Sequence, residues 1–176
     1  MKTPTIKDMV RVEQLFNGSN DIVDMELAST RLMEDKGVDY RIIELTDRAV
    51  TVKDVVRYAK EEINLDEICK TIVLKDRKGR MHAVFLRGGD RIDFGKLRSL
   101  MGKASVATPN EVEEATGVKP GAVCPLLLDI PLYVDERVFI KEKVNFGSGN
   151  HLYGIELSPK DLDKIIAFKV VDVIKV

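Results

Sequence analysis

Hydrophobic and polar residues change their spacing repeatedly along this chain, and the two spacings predict two kinds of secondary structure. Apolar residues that recur every third or fourth position predict helices, whereas apolar runs and strict alternation predict strands. The predicted helices span residues 27–36, 51–62, 93–101, 108–116 and 158–166. The predicted strands span residues 40–45, 70–74, 81–86, 122–128, 132–134, 139–146, 151–157 and 170–176.

Capping and turn residues define several of these boundaries. The sequence Thr108-Pro109-Asn110-Glu111 is typical of a capping box with proline in the first turn, and Gly117 stands where that helix should end. Residues 76–79, which end in glycine, predict a hairpin between strands 70–74 and 81–86 at the centre of the sheet. Residues 1–25 predict a short helical extension in front of the domain.

The order of the elements favours one fold class. Strands in the second half follow one another without intervening helices, which argues against a doubly wound parallel sheet. We therefore expect residues 26–176 to form one mixed α/β domain, with a largely antiparallel sheet that curls like a barrel and is flanked by helices. A chain of 176 residues is long enough for such a core without disulfide or metal support.

Composition and charge narrow the function classes. The 28 basic residues are balanced by 29 acidic ones, so wide electrostatic contact with duplex DNA is not expected. The sequence contains no apolar run long enough to cross a membrane and no apolar leader with a cleavage site. Two cysteines without metal-ligand spacing fit a reducing compartment, and we expect a cytoplasmic protein.

The stretch from Thr116 to Pro125 combines two glycines and two prolines within ten residues. Glycine allows positive φ or close approach of a ligand, and proline fixes φ and lacks an N–H. No proline interrupts the consecutive amides of Gly121, Ala122, Val123 and Cys124, so these amides could converge on one carbonyl oxygen as an oxyanion hole. The alternative is an ordinary connection that follows a helix cap at Gly117.

Lys70 begins a predicted strand in which Ile72 and Leu74 share its face. A lysine on a core-facing side needs a partner, and a phosphate or ribose oxygen of a ligand would suit its ammonium group. The alternative is a strand-end lysine whose charged group reaches water.

A second compact turn consists of Gly147, Ser148, Gly149, Asn150 and His151. Its glycines would let the backbone approach a ligand, and the turn could face the loop around Gly121. The same sequence is also typical of a plain hairpin, and a single histidine is often structural.

Asp135 ends another predicted strand, where it would either orient a lysine or cap the turn. With only His82 and His151, and without clustered cysteines, the sequence predicts no metal site and no cofactor. Nucleophile-elbow, Walker and dinucleotide fingerprints are also missing.

Together, Lys70, the loop Gly121-x-x-x-Pro125, Asp135 and the late glycine-rich turn resemble the YbaK/ProX family of aminoacyl-tRNA deacylases, in the same order and spacing. The resemblance runs from about Ala28 to Ile166. The family includes editing domains inserted in prolyl-tRNA synthetases and free-standing proteins that hydrolyse mischarged aminoacyl-tRNA without a metal. No synthetase motifs surround the domain in this sequence, so we expect a free-standing protein of this kind.

The resemblance implies that Lys70 holds the 3′-terminal adenosine and that Gly121 and its loop receive the aminoacyl group. Thr116, Gly117, Asp135 and the turn 147–151 would complete the substrate site. The implied partner is aminoacyl-tRNA, together with an aminoacyl-tRNA synthetase in some cases. Two alternatives stay open: a non-catalytic module that binds tRNA ends or a protein, and thiol chemistry at Cys124 with a cation nearby. Cys69 and Cys124 leave the amino-acid specificity open.

Overall fold

The computed structural model describes residues 27–176, which form a mixed α/β domain. The predicted helical extension over residues 1–25 lies outside the described residues. The helices are α1 (Ala28–Asp35), α2 (Val52–Tyr58), α3 (Phe94–Met101), α4 (Pro109–Thr116) and α5 (Leu162–Ile165). The strands are β1 (Tyr40–Glu44), β2 (Cys69–Asp76), β3 (Met81–Arg87), β4 (Ala104–Val106), β5 (Leu132–Asp135), β6 (Val144–Gly147), β7 (Tyr153–Leu157) and β8 (Lys169–Val171).

The strands form two sheets instead of one. The larger sheet has the order β4-β2-β3-β5-β8, and the smaller sheet has the order β1-β7-β6. Both pairs of the smaller sheet are antiparallel, whereas β5 pairs in parallel with β3 and β8. A single bridge between Ile68 and Asn145 connects the start of β2 to β6, so the sheets meet at that edge. The prediction of a mixed α/β domain with mostly antiparallel pairing is confirmed, and the barrel-like curl takes the form of two adjoining sheets.

Three groups of buried side chains hold these layers together. Both sheets contribute to the main core, for example with Phe85 of β3 and Phe146 of β6, whose rings meet edge to face at 5.4 Å. Helix α3 covers the other face of the larger sheet through Leu97. Helix α2 packs with Ile43 and Leu45 on the outer face of the smaller sheet.

Several sequence predictions need correction. The predicted strand 170–176 is a strand only over Lys169–Val171, and the predicted helix 51–62 ends at Tyr58. Residues 122–128 form a loop and the 3₁₀ turn Pro125–Leu127 instead of a strand, because proline cannot donate to a sheet ladder. Residues 139–146 contain a strand only from Val144, since the 3₁₀ segment Glu136–Ile140 and a polar stretch come first. The short edge strand β4 was not predicted. The hairpin of β2 and β3 is confirmed, with β3 at the centre of the larger sheet.

Candidate active site

A cavity of about 610 Å³ opens where helix α2, the loop around Gly121 and the edge between the two sheets come together. Most of its walls are apolar, and its polar groups come from a few separate segments. The sequence-predicted residues that line it are Lys70, Gly121, Ala122, Val123, Gly147, Asn150 and His151. Predicted residues from three different parts of the chain thus meet in one cavity of the size that small-molecule ligands occupy.

The Gly121 loop needs glycine for two separate reasons. Gly121 has a φ of +99°, and a Cβ atom there would lie 2.7 Å from the carbonyl oxygen of Val50. The loop therefore presses directly against the segment that leads into helix α2. Thr51 caps that helix by accepting from the Asp54 N–H, and the Asp54 carboxylate in turn accepts from the Thr51 N–H at 3.0 Å.

The amides of this loop divide into two groups. The N–H of Ala122 donates to the Lys119 carbonyl at 3.4 Å, and the Ala122 carbonyl accepts from the N–H of Gly149 at 2.8 Å, so both backbone groups of Ala122 already have protein partners. Within residues 27–176, the N–H groups of Gly121, Val123 and Cys124 donate to no protein acceptor. Of these three residues, Gly121 and Val123 line the cavity and Cys124 does not, so two amides are left for a ligand oxygen instead of the four consecutive amides that the sequence suggested.

The glycine-rich turn faces the Gly121 loop, as the sequence suggested it could. A Cβ atom on Gly147 would lie 2.9 Å from the carbonyl carbon and oxygen of Ala122, so the two backbones are in direct contact. The hydroxyl of Ser148 is buried and donates toward the carbonyl oxygens of Asn150 and Tyr153. Asn150 accepts from the Leu152 N–H at 2.9 Å, which fixes the turn that ends at His151. Ser148 and Gly149 thus shape the turn without lining the cavity.

Lys70 lies half-buried at the beginning of β2. Its ammonium group donates to the carbonyl of Gly88 at 3.0 Å, and among the described residues no carboxylate forms an ion pair with it. Burial lowers the pKa of Lys70, while Asp90 partly offsets this effect and Arg91 adds to it. An ammonium group has three donors, so two remain for a ligand.

His151 lines the cavity beside the Ala49 segment. Its Nδ1 lies 3.1 Å from the Ala49 carbonyl, which can only accept, so Nδ1 carries the proton. Its Nε2 lies 3.5 Å from the guanidinium of Arg48. Burial lowers the pKa of His151, the Ala49 carbonyl raises it, and nearby Arg48 and Lys119 lower it further. The imidazole is therefore neutral near pH 7, with Nε2 as an acceptor.

Four of the remaining predicted residues shape the backbone. Thr116 is buried, and its hydroxyl donates to the Val112 carbonyl at 2.7 Å, while Gly117 is the left-handed cap of helix α4. Cys124 and Pro125 belong to the buried 3₁₀ turn behind the loop. None of these four lines the cavity.

Asp135 is fully buried away from the cavity. Its carboxylate accepts from the N–H groups of Arg137 and Val173, and the Arg137 guanidinium lies 3.3 Å from it. Asp135 therefore caps a turn, as one of its two expected roles required, and also holds the C-terminal segment. Among residues 27–176, no lysine forms a hydrogen bond or an ion pair with this carboxylate.

Several cavity residues were missed by the sequence analysis. Asn145 and Thr71 line the cavity, and Asn145 Nδ2 and Thr71 Oγ1 are both buried without a partner among the described residues. Gly88 lies so close to Val52 that a Cβ atom would approach it to 2.8 Å. The alternation of Asn145 with the apolar residues of β6 was the available signal, because a polar residue on a buried strand needs a partner.

Within residues 27–176, no group of three or more histidine, cysteine, aspartate or glutamate side chains could hold a metal ion. None of the helices in this part of the chain is long and apolar enough to span a membrane.

The pKa values of Cys69 and Cys124 are each raised to about 12 by burial. Both thiols are therefore protonated near pH 7.

The protein belongs to the aminoacyl-tRNA editing domain family, because residues 46–165 match that family. The resemblance inferred from the sequence motifs is thereby confirmed. The uncharacterised protein YwhH of Bacillus subtilis (strain 168) is 33% identical over 117 residues, which cover 64% of this chain and 74% of YwhH.

Two crystal structures share the fold. The hypothetical protein APE2540 superposes with a TM-score of 0.76 at 29% sequence identity. The aligned region covers 84% of this chain and 99% of the APE2540 chain. A candidate trans-editing enzyme for prolyl-tRNA synthetase superposes with a TM-score of 0.72 at 26% sequence identity. The aligned region covers 84% of this chain and 95% of that enzyme's chain. The similarity to both extends over almost their full lengths.

Proposed function

We propose that this protein hydrolyses the ester bond of mischarged aminoacyl-tRNA in trans, in the cytoplasm, and releases the free amino acid and the tRNA. The observation that carries the proposal is that the Lys70 ammonium and the unpaired amides at Gly121 and Val123 belong to one cavity of about 610 Å³. A cation suits the ribose and phosphate of the terminal nucleotide, and paired N–H donors suit the ester carbonyl. Membership of the editing-domain family supports the same substrate.

In the proposed reaction, the Gly121 loop stabilises the negative charge that develops on the ester carbonyl oxygen when water attacks. Backbone donors fixed in this way act without reorganisation, and the loss of one donor typically costs roughly 10²–10³ in rate. The close contact of Gly121 with Val50 and of Gly147 with Ala122 keeps this loop in place.

The attacking water is activated by the substrate, through the free ribose hydroxyl beside the ester. The titratable groups that line the described cavity are Lys53, Lys70, His151, Tyr153 and Cys69. Cys69 holds its proton, and the nitrogen of His151 that can accept lies 3.5 Å from the guanidinium of Arg48. In the proposed reaction the protein contributes positioning and electrostatic stabilisation.

The buried location of Cys124 disfavours the thiol alternative. Cys124 belongs to the main core and lies outside the cavity lining, and its raised pKa leaves almost no thiolate to act as a nucleophile.

The remaining alternative is a non-catalytic module that binds tRNA ends or a protein partner. A panel of tRNAs, each charged with a labelled amino acid, separates it from the hydrolase. The candidate trans-editing neighbour makes tRNA for proline the first tRNA to test, alone and with its synthetase. Catalytic release from at least one mischarged tRNA supports the proposal, whereas saturable binding without release from any of them favours the binding module.

A further inference from the structure

Asn145 is a buried amide at one end of the cavity. It lies in β6 between Val144 and Phe146, which both face the main core. Because strand residues alternate in direction, the side chain of Asn145 lies on the opposite face, together with the position of Gly147. Asn145 and Gly147 both line the cavity, and Phe146 between them also borders it.

Two glycines lie beside this amide, where they let other segments approach: a Cβ atom on Gly147 would lie 2.9 Å from Ala122, and one on Gly154 would lie 3.6 Å from Ile43. Gly147 and Gly154 are directly paired across β6 and β7, and both line the cavity without a side chain. The next pair along the same face is Asn145 and Glu156. Glu156 binds the Arg41 guanidinium through both oxygens, at 3.1 and 2.8 Å. The carboxylate of Glu156 is therefore occupied by Arg41. Asn145 is the other polar residue of this pair, and it does not bind Arg41.

The amide nitrogen of Asn145 is buried without an acceptor among the described residues, although the residue is only 2% exposed. A buried N–H group without a partner is costly, so such groups in native proteins usually have a bound partner or a function. Thr71 Oγ1 is a second unpartnered polar atom in the lining of the same cavity. Other residues of the lining, such as Leu45 and Ile68, are apolar.

The distance from the Gly121 loop fits an amino-acid side chain. Gly147 contacts Ala122 of that loop, and Asn145 lies two residues before Gly147 on the same face, about 7 Å away by strand geometry. The side chain of an aminoacyl group held by the loop would extend into the cavity, whose lining includes Asn145. Acceptor oxygens of that side chain would then meet the amide.

We propose that Asn145, with support from Thr71, selects aminoacyl groups whose side chain carries an oxygen that accepts a hydrogen bond, such as a hydroxyl group. This inference rests on the proposed function, since it assigns the substrate class of the same cavity. A matched substrate lacking the oxygen would leave the amide unpaired, which typically reduces kcat/KM about tenfold to a hundredfold.

The test compares tRNA charged with threonine and the same tRNA charged with valine, which has nearly the same shape. The wild-type chain should hydrolyse the threonyl ester about tenfold to a hundredfold faster in kcat/KM. Asn145→Leu preserves the approximate volume and removes the donor, so it should bring the two values to within about threefold of each other. Glu156→Gln, on the same face but bound to Arg41, should keep the wild-type ratio.

A binding measurement keeps the inference testable even if no ester is hydrolysed. Adenosine analogues that carry threonine or valine through a 3′-amide bond can be titrated by calorimetry against the wild type and Asn145→Leu. Tighter binding of the threonyl analogue, lost in the variant, supports the inference, and failure of hydrolysis alone counts only against the proposed function. Equal handling of both analogues and both esters by the wild type overturns the inference. Equal loss for threonine and valine in a folded variant also overturns it, since Asn145 would then act on the shared part of the substrate.

Discussion

Lys70 is the cation whose surroundings most resemble a ligand site, because its ammonium group has one protein acceptor and two donors left. We expect Lys70→Ala to lower kcat/KM for aminoacyl-tRNA by roughly a hundredfold, the effect of losing a charged hydrogen bond. The thermal midpoint should hardly change, because the substitution removes a half-buried side chain at a strand end. Steady-state deacylation and thermal unfolding measure the two effects.

Lys75→Ala is the matched control for this substitution. Lys75 lies on the same strand but pairs with Glu111 at 2.6 Å, away from the cavity. Its replacement should leave deacylation unchanged. Comparable activity loss in both variants would remove Lys70 from the site.

Cys124 tests whether the loop acts through its backbone or through its thiol. The side chain is 3% exposed in the main core, so Cys124→Ser should lower the free energy of unfolding by about 1–3 kcal/mol as a hydroxyl is buried. Activity below the unfolding transition should be retained, because the loop backbone is preserved. Chemical denaturation and deacylation at low temperature measure the two quantities. If Cys124→Ala and Cys124→Ser both abolish turnover while remaining folded, the thiol takes part in the reaction.

At the level of the loops, two glycines with similar φ values provide a matched pair. Gly121 (φ +99°) contacts the Val50 backbone, whereas Gly79 (φ +80°) in the β2–β3 hairpin has nothing within 4 Å of a built Cβ atom. Gly79→Ala should therefore cost only the backbone term of about 1 kcal/mol. Gly121→Ala adds a steric conflict that displaces the loop amides.

We expect Gly121→Ala to reduce the single-turnover rate roughly 10²–10³-fold, as for the loss of an oxyanion donor, while an uncleavable analogue still binds through Lys70. Rapid-quench kinetics and calorimetry separate the two effects. Equal losses in rate and affinity would show that the loop only shapes the cavity.

The β2–β3 hairpin depends on a buried carboxylate. Asp76 accepts from the N–H groups of Lys78 and Arg80, from the Arg80 side chain and from His82, whose Nε2 lies 2.9 Å away. The His82 contact, followed by the Arg80 and Lys78 hydrogen bonds, lowers the pKa of Asp76 well below its ordinary value of 3.8 despite burial. A lowered pKa means that this carboxylate stabilises the fold above its unfolded pKa and loses that effect as the pH falls.

We therefore expect Asp76→Asn to lower the thermal midpoint at pH 7 and to narrow the difference between variant and wild type as the pH falls toward 3. Calorimetric melts across this pH range measure the change. A difference that stays constant with pH would mean that the charge of Asp76 contributes nothing.

Local signals explain why some elements could be predicted and others could not. The capping boxes at Thr51 and Thr108 and the glycine turn of the hairpin depend on neighbouring residues, so their positions followed from the sequence. The β6 strand and the loop 122–124 depend on distant partners: Asn145 meets Ile68, and Ala122 meets Gly147 and Gly149. For the same reason the sequence placed Asp135 in the site, whereas its carboxylate binds Arg137 and the N–H of Val173 in the C-terminal segment.

Across the whole molecule, acidic and basic residues are nearly balanced, and three of the exposed cations lie near the cavity. Arg48, Lys53 and Lys119 are exposed around the mouth of the cavity, and no ion pair with a carboxylate is recorded for them among residues 27–176. Elsewhere many cations are paired, for example Lys75 with Glu111 and Arg87 with Asp90. The unpaired cations at the mouth are therefore suited to phosphates of an RNA strand whose end enters the cavity.

This distribution predicts a salt dependence that differs between substrates. For aminoacyl-tRNA, kcat/KM should fall as salt increases, and each of Arg48→Ala, Lys53→Ala and Lys119→Ala should reduce the slope of log kcat/KM against log salt by about 0.7, the value for one phosphate contact on a single strand. For an aminoacyl-adenosine, which has no neighbouring phosphates, the slope should be near zero in all variants. Lys160→Ala, whose exposed side chain borders a separate groove with Phe139, is the matched control and should retain the wild-type slope. If the wild-type slopes for tRNA and for aminoacyl-adenosine are the same, the cations at the mouth do not contact the tRNA backbone.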